Sequence, residues 1–136
     1  VYWTTHGFNG AIRKVPKTGG TPVTLANGQV FPRNMVVDSS GVYWTNQLYD
    51  GGTVRKVSLE GGTPITLVAN QQGPFGVAID AVHVYWVTLG GDIARVPKSG
   101  GGPFALAEWS YGLSGIVVDA SNAYLTSTQR ILRVAK

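Results

Sequence analysis

Hydrophobic residues occur in short runs along the whole chain, and no stretch shows the 3.6-residue period of an amphipathic helix. The runs are rich in β-branched and aromatic side chains, which is typical of β-strands; examples are NMVVD, VYWT, VRKVS and PITLV. Turn residues separate the runs, as in DSSG, DAVH, TGG and EGG. Several runs are apolar without strict alternation, which indicates strands covered on both faces. The pattern therefore predicts an all-β chain of short antiparallel strands joined by tight turns.

One block of residues recurs along the chain, and this repetition is its strongest signal. MVVDSSGVYWTN returns as GVAIDAVHVYWVT and again as GIVVDASNAYLTS. Aligned on the Tyr-Trp pair, the copies lie about forty residues apart, and the segments IRKVPK and GGTPVTLA repeat in step with them. Four antiparallel strands in about forty residues is the size of one β-propeller blade. Such a sheet buries its two apolar faces only by packing against the next copy, which explains the repetition.

We label the strands of a blade A to D, from the axis to the rim. The chain then reads BCD, ABCD, ABCD and ABC, which makes 14 strands. We expect a partial blade over 1–26, full blades over about 34–68 and 76–107, and a partial blade over about 115–136.

The segment VVDSSGVYWTN is similar to the YWTD repeat of the low-density-lipoprotein-receptor class, and more loosely to NHL and gluconolactonase-like propellers. Tyr43, Trp44 and Thr45 match the motif, whereas Asn46 replaces its acid. The resemblance implies a propeller of about six blades. Its members include receptors, scaffolds and hydrolases, so it implies an architecture and not one function. The resemblance alone favours an extracellular or periplasmic location.

One copy of the chain does not supply a closed ring of complete blades. Either the chain is a fragment or an incomplete ring, or several chains close the ring together. Two copies supply the strand count of seven blades, although the BCD and ABC ends do not merge without rearrangement. Because open sheet edges favour association, we expect self-association into a homodimeric ring with a composite blade at each junction.

Composition narrows the possible partners. Hydrophobic residues make up 43% of the 136 residues and charged residues 13%, which is typical of an ordered domain. Cysteine is absent, so disulfides and thiolate chemistry are excluded. No apolar run is long enough to span a bilayer and no signal peptide is visible. The net charge of +4 reflects scarce acids as much as abundant bases. We therefore expect neither a membrane nor a nucleic acid among the partners.

The candidate binding site lies on one face of the propeller. The B–C and D–A loops share this face, which we call the loop face, and the A–B and C–D turns share the opposite one, the turn face. The turns are nearly identical between copies, whereas the loops differ, and variable loops on a rigid scaffold are where recognition usually occurs. The predicted ligand-binding residues are Phe8, Arg33, Asn34, Gln47, Tyr49, Asp50, Phe75, Trp109 and Tyr111. Phe31 and Phe75 are predicted to follow one pattern with the neighbouring Pro32 and Pro74, and for these two residues the alternative is a role in filling the tops of the blades.

Other polar residues have structural interpretations. The recurring Asp38, Asp80 and Asp119 are expected to cap the A–B turns, with a metal site or acid channel as the alternative. His6 and His83 fall on opposite faces, which argues against a shared metal. A positively charged residue recurs at one position of strand C. We expect its aliphatic stem to cover apolar surface and its charged head to reach water. The alternative is that this column of residues binds a polyanion. The residues of this column are Lys14, Lys56, Arg95 and Arg133.

Sequence support for catalysis is weak. A gluconolactonase-like site needs several Glu, Asn or Asp ligands near the axis, where this chain has Asn34, Gly76 and either Ser114 or Gly115. We predict no catalytic residues, no metal ligands and no cofactor. The predicted function is a non-enzymatic scaffold that binds a protein or a glycan. Two alternatives stay open: a metal-dependent lactonase or lyase-type hydrolase completed by assembly, and an excised or engineered propeller fragment without its own ligand.

Overall fold

A computed structural model, which describes residues 1–109 and 112–136, contains 14 strands in four antiparallel sheets. This confirms the predicted all-β class and the strand count. No helix in the described part of the chain is long and apolar enough to cross a membrane. The strands are β1 (Tyr2–Thr5), β2 (Gly10–Lys14), β3 (Val23–Gln29), β4 (Pro32–Asp38), β5 (Gly41–Asn46), β6 (Gly52–Val57), β7 (Ile65–Gln71), β8 (Pro74–Ile79), β9 (His83–Thr88), β10 (Asp92–Pro97), β11 (Phe104–Glu108), β12 (Leu113–Val118), β13 (Asn122–Ser127) and β14 (Ile131–Ala135).

The sheets follow one another along the chain as the blades of a propeller do. The second and third sheets have four strands, in the orders β4-β5-β6-β7 and β8-β9-β10-β11. The first sheet holds β1-β2-β3 and the fourth holds β12-β13-β14. Strand β8 contacts both β4 and β12, so the first strands of the last three sheets are neighbours. The four sheets thus form part of a propeller ring.

The Tyr-Trp pairs of the second and third sheets contact both neighbouring sheets. Trp44 belongs to a core cluster with Ile12 and Leu25 of the first sheet. Tyr43 belongs to another cluster, with Val84 and Trp86 of the third sheet. Adjacent residues of a strand point to opposite faces, so one side chain packs backward and the next packs forward. Each sheet therefore has a forward face, toward the following sheet, and a backward face, toward the preceding one.

The connections between strands D and A are shorter than the sequence predicts. Strand β3 extends to Gln29 and β4 begins at Pro32, so only residues 30–31 connect them. Similarly, only residues 72–73 connect β7 to β8. Register shifts let the polar residues at these strand ends stay paired, as in the pairs of Gly10 with Gln29 and of Pro32 with Asn46. Residues predicted to lie on D–A loops, among them Arg33 and Phe75, lie instead near the beginnings of β4 and β8.

Candidate functional site

Backbone hydrogen bonds hold the loop face together across neighbouring sheets. The Phe31 N–H donates to the Gly7 carbonyl at 2.7 Å, and the Phe31 carbonyl accepts from the Gln47 N–H at 2.9 Å. The next connection repeats this geometry, because the Gly73 N–H donates to the Leu48 carbonyl at 2.7 Å. The D–A connections therefore lie between the B–C loops of two adjacent sheets, as the loop face requires.

Phe31 has an unusual backbone conformation for an aromatic residue. Its φ is +49°, and the equivalent residues of the next two copies are Gly73 and Gly112, with φ of +59° and +85°. A residue with a Cβ loses about 1–2 kcal/mol in this region, whereas glycine does not. Strained residues of this kind cluster at functional sites, so the outlier motivates a functional hypothesis. The internal repeat already contained this signal, as a phenylalanine aligned with two glycines.

An aromatic cluster surrounds Phe31. The Phe8 ring lies 4.4 Å from the Phe31 ring between centroids, and the His6 ring lies 5.1 Å from it. Phe8 keeps 78% of its surface exposed. The backbone strain at Phe31 therefore positions a ring that supports a second, exposed ring on the loop face.

Arg33 and Phe75 occupy equivalent positions of successive inner strands, one residue after Pro32 and Pro74 respectively. The expectation that Phe31 and Phe75 follow one pattern is therefore wrong, because Phe31 precedes its proline. The Arg33 guanidinium carbon lies 5.0 Å from the centre of the Phe75 ring, which is the distance of a cation–π contact.

Asn34 has a structural role between two sheets. Its side-chain amide donates to the Phe75 carbonyl at 3.0 Å, and the Thr45 hydroxyl donates to the same oxygen at 2.9 Å. Asn34 is aligned with Gly76 and Gly115, because the residues that follow all three pair with the tryptophan position of the next strand. The structure thus brings Arg33, Asn34 and Phe75 into one contact group.

The other predicted site residues lie on the B–C loops or next to them. Tyr49 is 83% exposed and Asp50 is also exposed, next to each other on one loop. Gln47 is half-buried at the beginning of the same loop. Trp109 is exposed and its backbone N–H donates to the Gly91 carbonyl at 2.9 Å. Tyr111 lies outside the described residues.

On the turn face, the recurring aspartates cap the A–B turns, as predicted. One oxygen of Asp80 accepts from the Val82 and His83 N–H groups at 2.9 and 2.7 Å. Asp119 accepts from the two corresponding N–H groups of its own turn at 2.8 and 2.7 Å. These bonds hold the pKa of Asp119 at about 2, with a further contribution from the Tyr124 hydroxyl.

The second oxygen of two of these aspartates contacts a lysine of the following sheet. Lys98 binds Asp38, and Lys136 binds Asp80 with 2.6 Å between Nζ and Oδ2. Burial alone would raise the pKa of Asp80, but the bonds from Lys136, Tyr85 and the turn outweigh it and hold the pKa well below its usual value. Sequence reasoning missed these pairs, which connect successive sheets.

The same lysines lie over tyrosine rings. Lys98 Nζ is 5.5 Å from the centre of the Tyr43 ring, and Lys136 Nζ is 5.1 Å from that of Tyr85. Each junction between the last three sheets therefore combines an aspartate and a tyrosine of one sheet with a lysine of the next. We call this arrangement the Asp-Tyr-Lys junction.

The strand-C cation column also connects sheets. Lys14 Nζ donates to the Leu59 carbonyl, and Lys56 Nζ donates to the Lys98 carbonyl at 3.1 Å. Both acceptors belong to the following sheet, so these two half-buried heads also bind a neighbouring sheet, a contact that the sequence analysis does not predict. The backbone carbonyl is a strong acceptor that the sequence does not display.

A buried polar network joins the first two sheets. The Trp44 indole donates to Asn46 Oδ1 at 2.9 Å, and Asn46 Nδ2 donates to Gln29 Oε1 at 3.3 Å. Arg55 donates to the same Gln29 oxygen at 2.9 Å, and burial lowers the pKa of its guanidinium. Asn46 both accepts and donates here, which an ionised acid at this YWTD position could not do.

Within residues 1–109 and 112–136, no group of three or more His, Asp or Glu side chains comes together in an arrangement that could hold a metal ion. His6 packs on the loop face and His83 lies beside Asp80 on the turn face, with 3.8 Å between Nδ1 and Oδ1. The two histidines thus belong to different faces, as the repeat predicts.

Comparison with known proteins identifies the fold. No family model matches the chain, and no curated protein sequence does. The structure matches the YWTD β-propeller of nidogen, in the crystal structure of a nidogen/laminin complex, with a TM-score of 0.85 and 22% identity. The chain has the fold of a YWTD-like β-propeller. The match covers 97% of this chain and 53% of the nidogen chain, so the chain spans about half the length of that relative.

Two further structures are similar to this β-propeller chain. The computationally designed Ika4 protein matches with a TM-score of 0.77 and 10% identity, over 98% of this chain and 84% of its own. Regucalcin, a calcium-binding protein from Agrobacterium tumefaciens, matches with a TM-score of 0.62 and 18% identity, over 93% of this chain and 46% of its own. The resemblance to YWTD and gluconolactonase-like propellers is confirmed as a likeness of fold.

Proposed function

We propose that the chain is a binding scaffold whose loop face recognises a protein ligand. The observation that carries the proposal is Phe31, an aromatic residue in a left-handed conformation at a position where the next two copies have glycine. The strain positions a ring against Phe8, whose own ring is largely exposed. Exposed aromatic rings on a rigid frame supply contact area at a low entropic cost on binding.

Polar groups next to these rings support the same proposal. Arg33 is exposed and stacks on Phe75, and Tyr49 and Asp50 are exposed on the neighbouring loop. Protein interfaces are enriched in tyrosine, phenylalanine and arginine. The similar propeller of nidogen occurs in a complex with another protein, laminin. A glycan ligand is the alternative, because aromatic rings also stack on sugars.

We also propose that the chain associates with a second copy of itself, since its four sheets form only part of a ring. The last sheet exposes apolar side chains on its forward face, where the second and third sheets are covered by the next sheet. Exposed apolar surface of this kind marks an interaction site.

The loop-face proposal is tested with two arrays, one of purified extracellular-matrix proteins including laminin and one of glycans. A variant with Phe8→Ser, Tyr49→Ser and Trp109→Ser is compared with the original chain and with a control, Ile65→Ser and Phe104→Ser. Both control residues are exposed and follow the C–D turns, away from the loop face.

We expect the protein array to retain the original chain and the control, and to lose the loop variant. Retention on the glycan array alone, with the same loss, favours the glycan alternative. If the loop variant is retained as well as the control, or if neither array retains the original chain, the proposal is wrong.

A further inference from the structure

The two ends of the sheet array expose surfaces that are buried at every internal junction. Ile131, on the forward face of the fourth sheet, is 75% exposed, whereas its equivalents Ile12, Val54 and Ile93 are at most 1% exposed. Val117, on the same face, is 64% exposed. These side chains lack the following sheet that covers their equivalents.

The backward face of the first sheet shows the complementary deficit. Val1 is 59% exposed, whereas its equivalents Val42 and Val84 are 0% exposed. Trp3 is only half-buried, although Trp44 and Trp86 are fully buried at the same position of the repeat. Within the chain, a tryptophan at this position packs against the preceding sheet.

The charged residues at the two ends of the array are arranged as at the internal junctions, where an aspartate lies on the earlier sheet and a lysine on the later one. In the internal Asp-Tyr-Lys junctions, the lysine always belongs to the later sheet. Asp119 and Tyr124 supply the first half of such a junction on the fourth sheet, with the Tyr124 hydroxyl 2.8 Å from Asp119. Lys17 occupies the lysine position on the first sheet and is exposed. No lysine side chain contacts the Asp119 carboxylate among the described residues.

We propose that the forward face of the fourth sheet binds the backward face of the first sheet of a second copy, with Lys17 of one copy completing an Asp-Tyr-Lys junction at Asp119 and Tyr124 of the other. This inference names the surfaces used in the self-association proposed above and rests on that proposal. The partner is a second copy because the array already contains two junctions of this kind, and the two free surfaces are the two halves of a third.

The assembly is a head-to-tail dimer. Two copies bring eight sheets, and propellers typically have about four to eight blades, which a third copy would exceed. Both end sheets already hold three strands, so a composite four-stranded blade could form only by displacing strands. In place of the expected composite blade, we therefore propose that the fourth sheet of one copy packs face to face on the first sheet of the other, as successive sheets do within one chain.

The test uses the 136-residue chain in size-exclusion chromatography with light scattering. We expect a mass twice the chain mass of 14.4 kDa. Ile131→Arg and Lys17→Glu, each at an exposed position, should weaken the dimer roughly tenfold or more, whereas the control Ile65→Arg should not. A monomer at every concentration for the unsubstituted chain would overturn the inference.

A mixing experiment distinguishes head-to-tail association from pairing of like ends. A dimer of Ile131→Arg with Lys17→Glu has both defects in one junction and an intact second junction. Mixing the two variants should therefore restore dimer at concentrations at which neither variant forms it alone. A dimer of like ends would gain nothing from mixing, and that result would overturn the inference. Circular dichroism confirms that the variants are folded. Array binding of monomeric Ile131→Arg tests the loop face separately, so the two proposals can fail independently.

Discussion

Lys136 lies 2.6 Å from Asp80 between Nζ and Oδ2, and its ammonium also lies over the Tyr85 ring, although it belongs to the following sheet. Only 9% of the Lys136 side chain and 23% of the Asp80 side chain are exposed. Because little water reaches the pair, its charges are screened less than those of an ordinary surface ion pair. The contact thus ties the last sheet to the one before it.

Replacing Lys136 by methionine should reduce the free energy of unfolding by about 1.5–3 kcal/mol, because Asp80 loses a charged hydrogen-bond donor in a partly buried place. Urea unfolding followed by tryptophan fluorescence measures the change. The matched control is Arg130→Met, an exposed cation on the loop face, for which we expect less than about 0.5 kcal/mol. Equal effects of the two substitutions would show that the contact does not stabilise the fold.

The turn-face aspartates should make the fold sensitive to acid. The pKa values of Asp38, Asp80 and Asp119 are all lower in the folded chain than the ordinary 3.8, and that of Asp119 is about 2. The folded state therefore binds protons less readily than the unfolded state, so their contribution is complete above about pH 5 and is lost as pH falls through the folded values. Urea midpoints should stay constant between pH 6 and about pH 5 and then decrease down to pH 2, and Asp80→Asn should flatten the decrease. A constant midpoint over this range would contradict the prediction.

Phe31 allows a direct measurement of backbone strain. Phe31→Ala and Phe31→Gly both remove the ring, but only glycine adopts a φ of +49° without loss. We expect the glycine variant to be more stable than the alanine variant by about 1 kcal/mol, measured by urea unfolding. The same pair of substitutions at an ordinary strand position favours alanine, so a more stable alanine variant would show that Phe31 is not strained.

Gly52 should tolerate no side chain. A Cβ there would lie 2.3 Å from Pro74 Cδ and 2.8 Å from the Gln71 carbonyl oxygen. Gly52→Ala should therefore cost about 1–3 kcal/mol, since the proline and the backbone must move. Gly102→Ala is the control, because a Cβ at Gly102 meets no atom within 4 Å. If thermal unfolding shows the two variants to be equally stable, β6 at Gly52 and β8 at Pro74 can move apart at little cost.

Divalent metals separate the scaffold from the hydrolase alternative. A metal that binds only the folded state raises its melting temperature by mass action. We expect no shift on adding Ca²⁺, Mg²⁺ or Zn²⁺ in excess over EDTA-treated protein, because Asn34 donates its amide to a carbonyl and its equivalents in the next copies are glycines. A concentration-dependent increase with one of these ions, abolished by Asn34→Ala, would support the metal-dependent alternative.

The fold could be predicted because each strand pattern recurs in several copies of the repeat. A single run such as VYWT does not identify a fold. Its recurrence at nearly equal spacing, with glycine turns at the same positions of each copy, indicates propeller blades. The turn-capping role of the aspartates could be predicted for the same reason. The lengths of the D–A connections could not, because bulges keep polar residues such as Asn27 and Gln29 within a strand.

The cross-sheet contacts were hidden for a different reason. Lys98 and Lys136 meet aspartates of the preceding copy, so their partners are not neighbours in sequence. The position that Lys98 and Lys136 occupy in their copies is also not always lysine, since Leu59 occupies it in the second sheet. The conformation of Phe31 was in principle visible in the alignment of copies, but its neighbouring proline suggested a false equivalence with Phe75.

The opposite orientation of Tyr43 and Trp44 has a consequence for how such a chain can change in length. The second and third sheets offer the same pair of surfaces, one to the preceding sheet and one to the following sheet. A duplicated or deleted module would meet compatible neighbours at once, without any new set of contacts having to arise. Growth and shortening by whole modules is thus the mutational route that this architecture tolerates best.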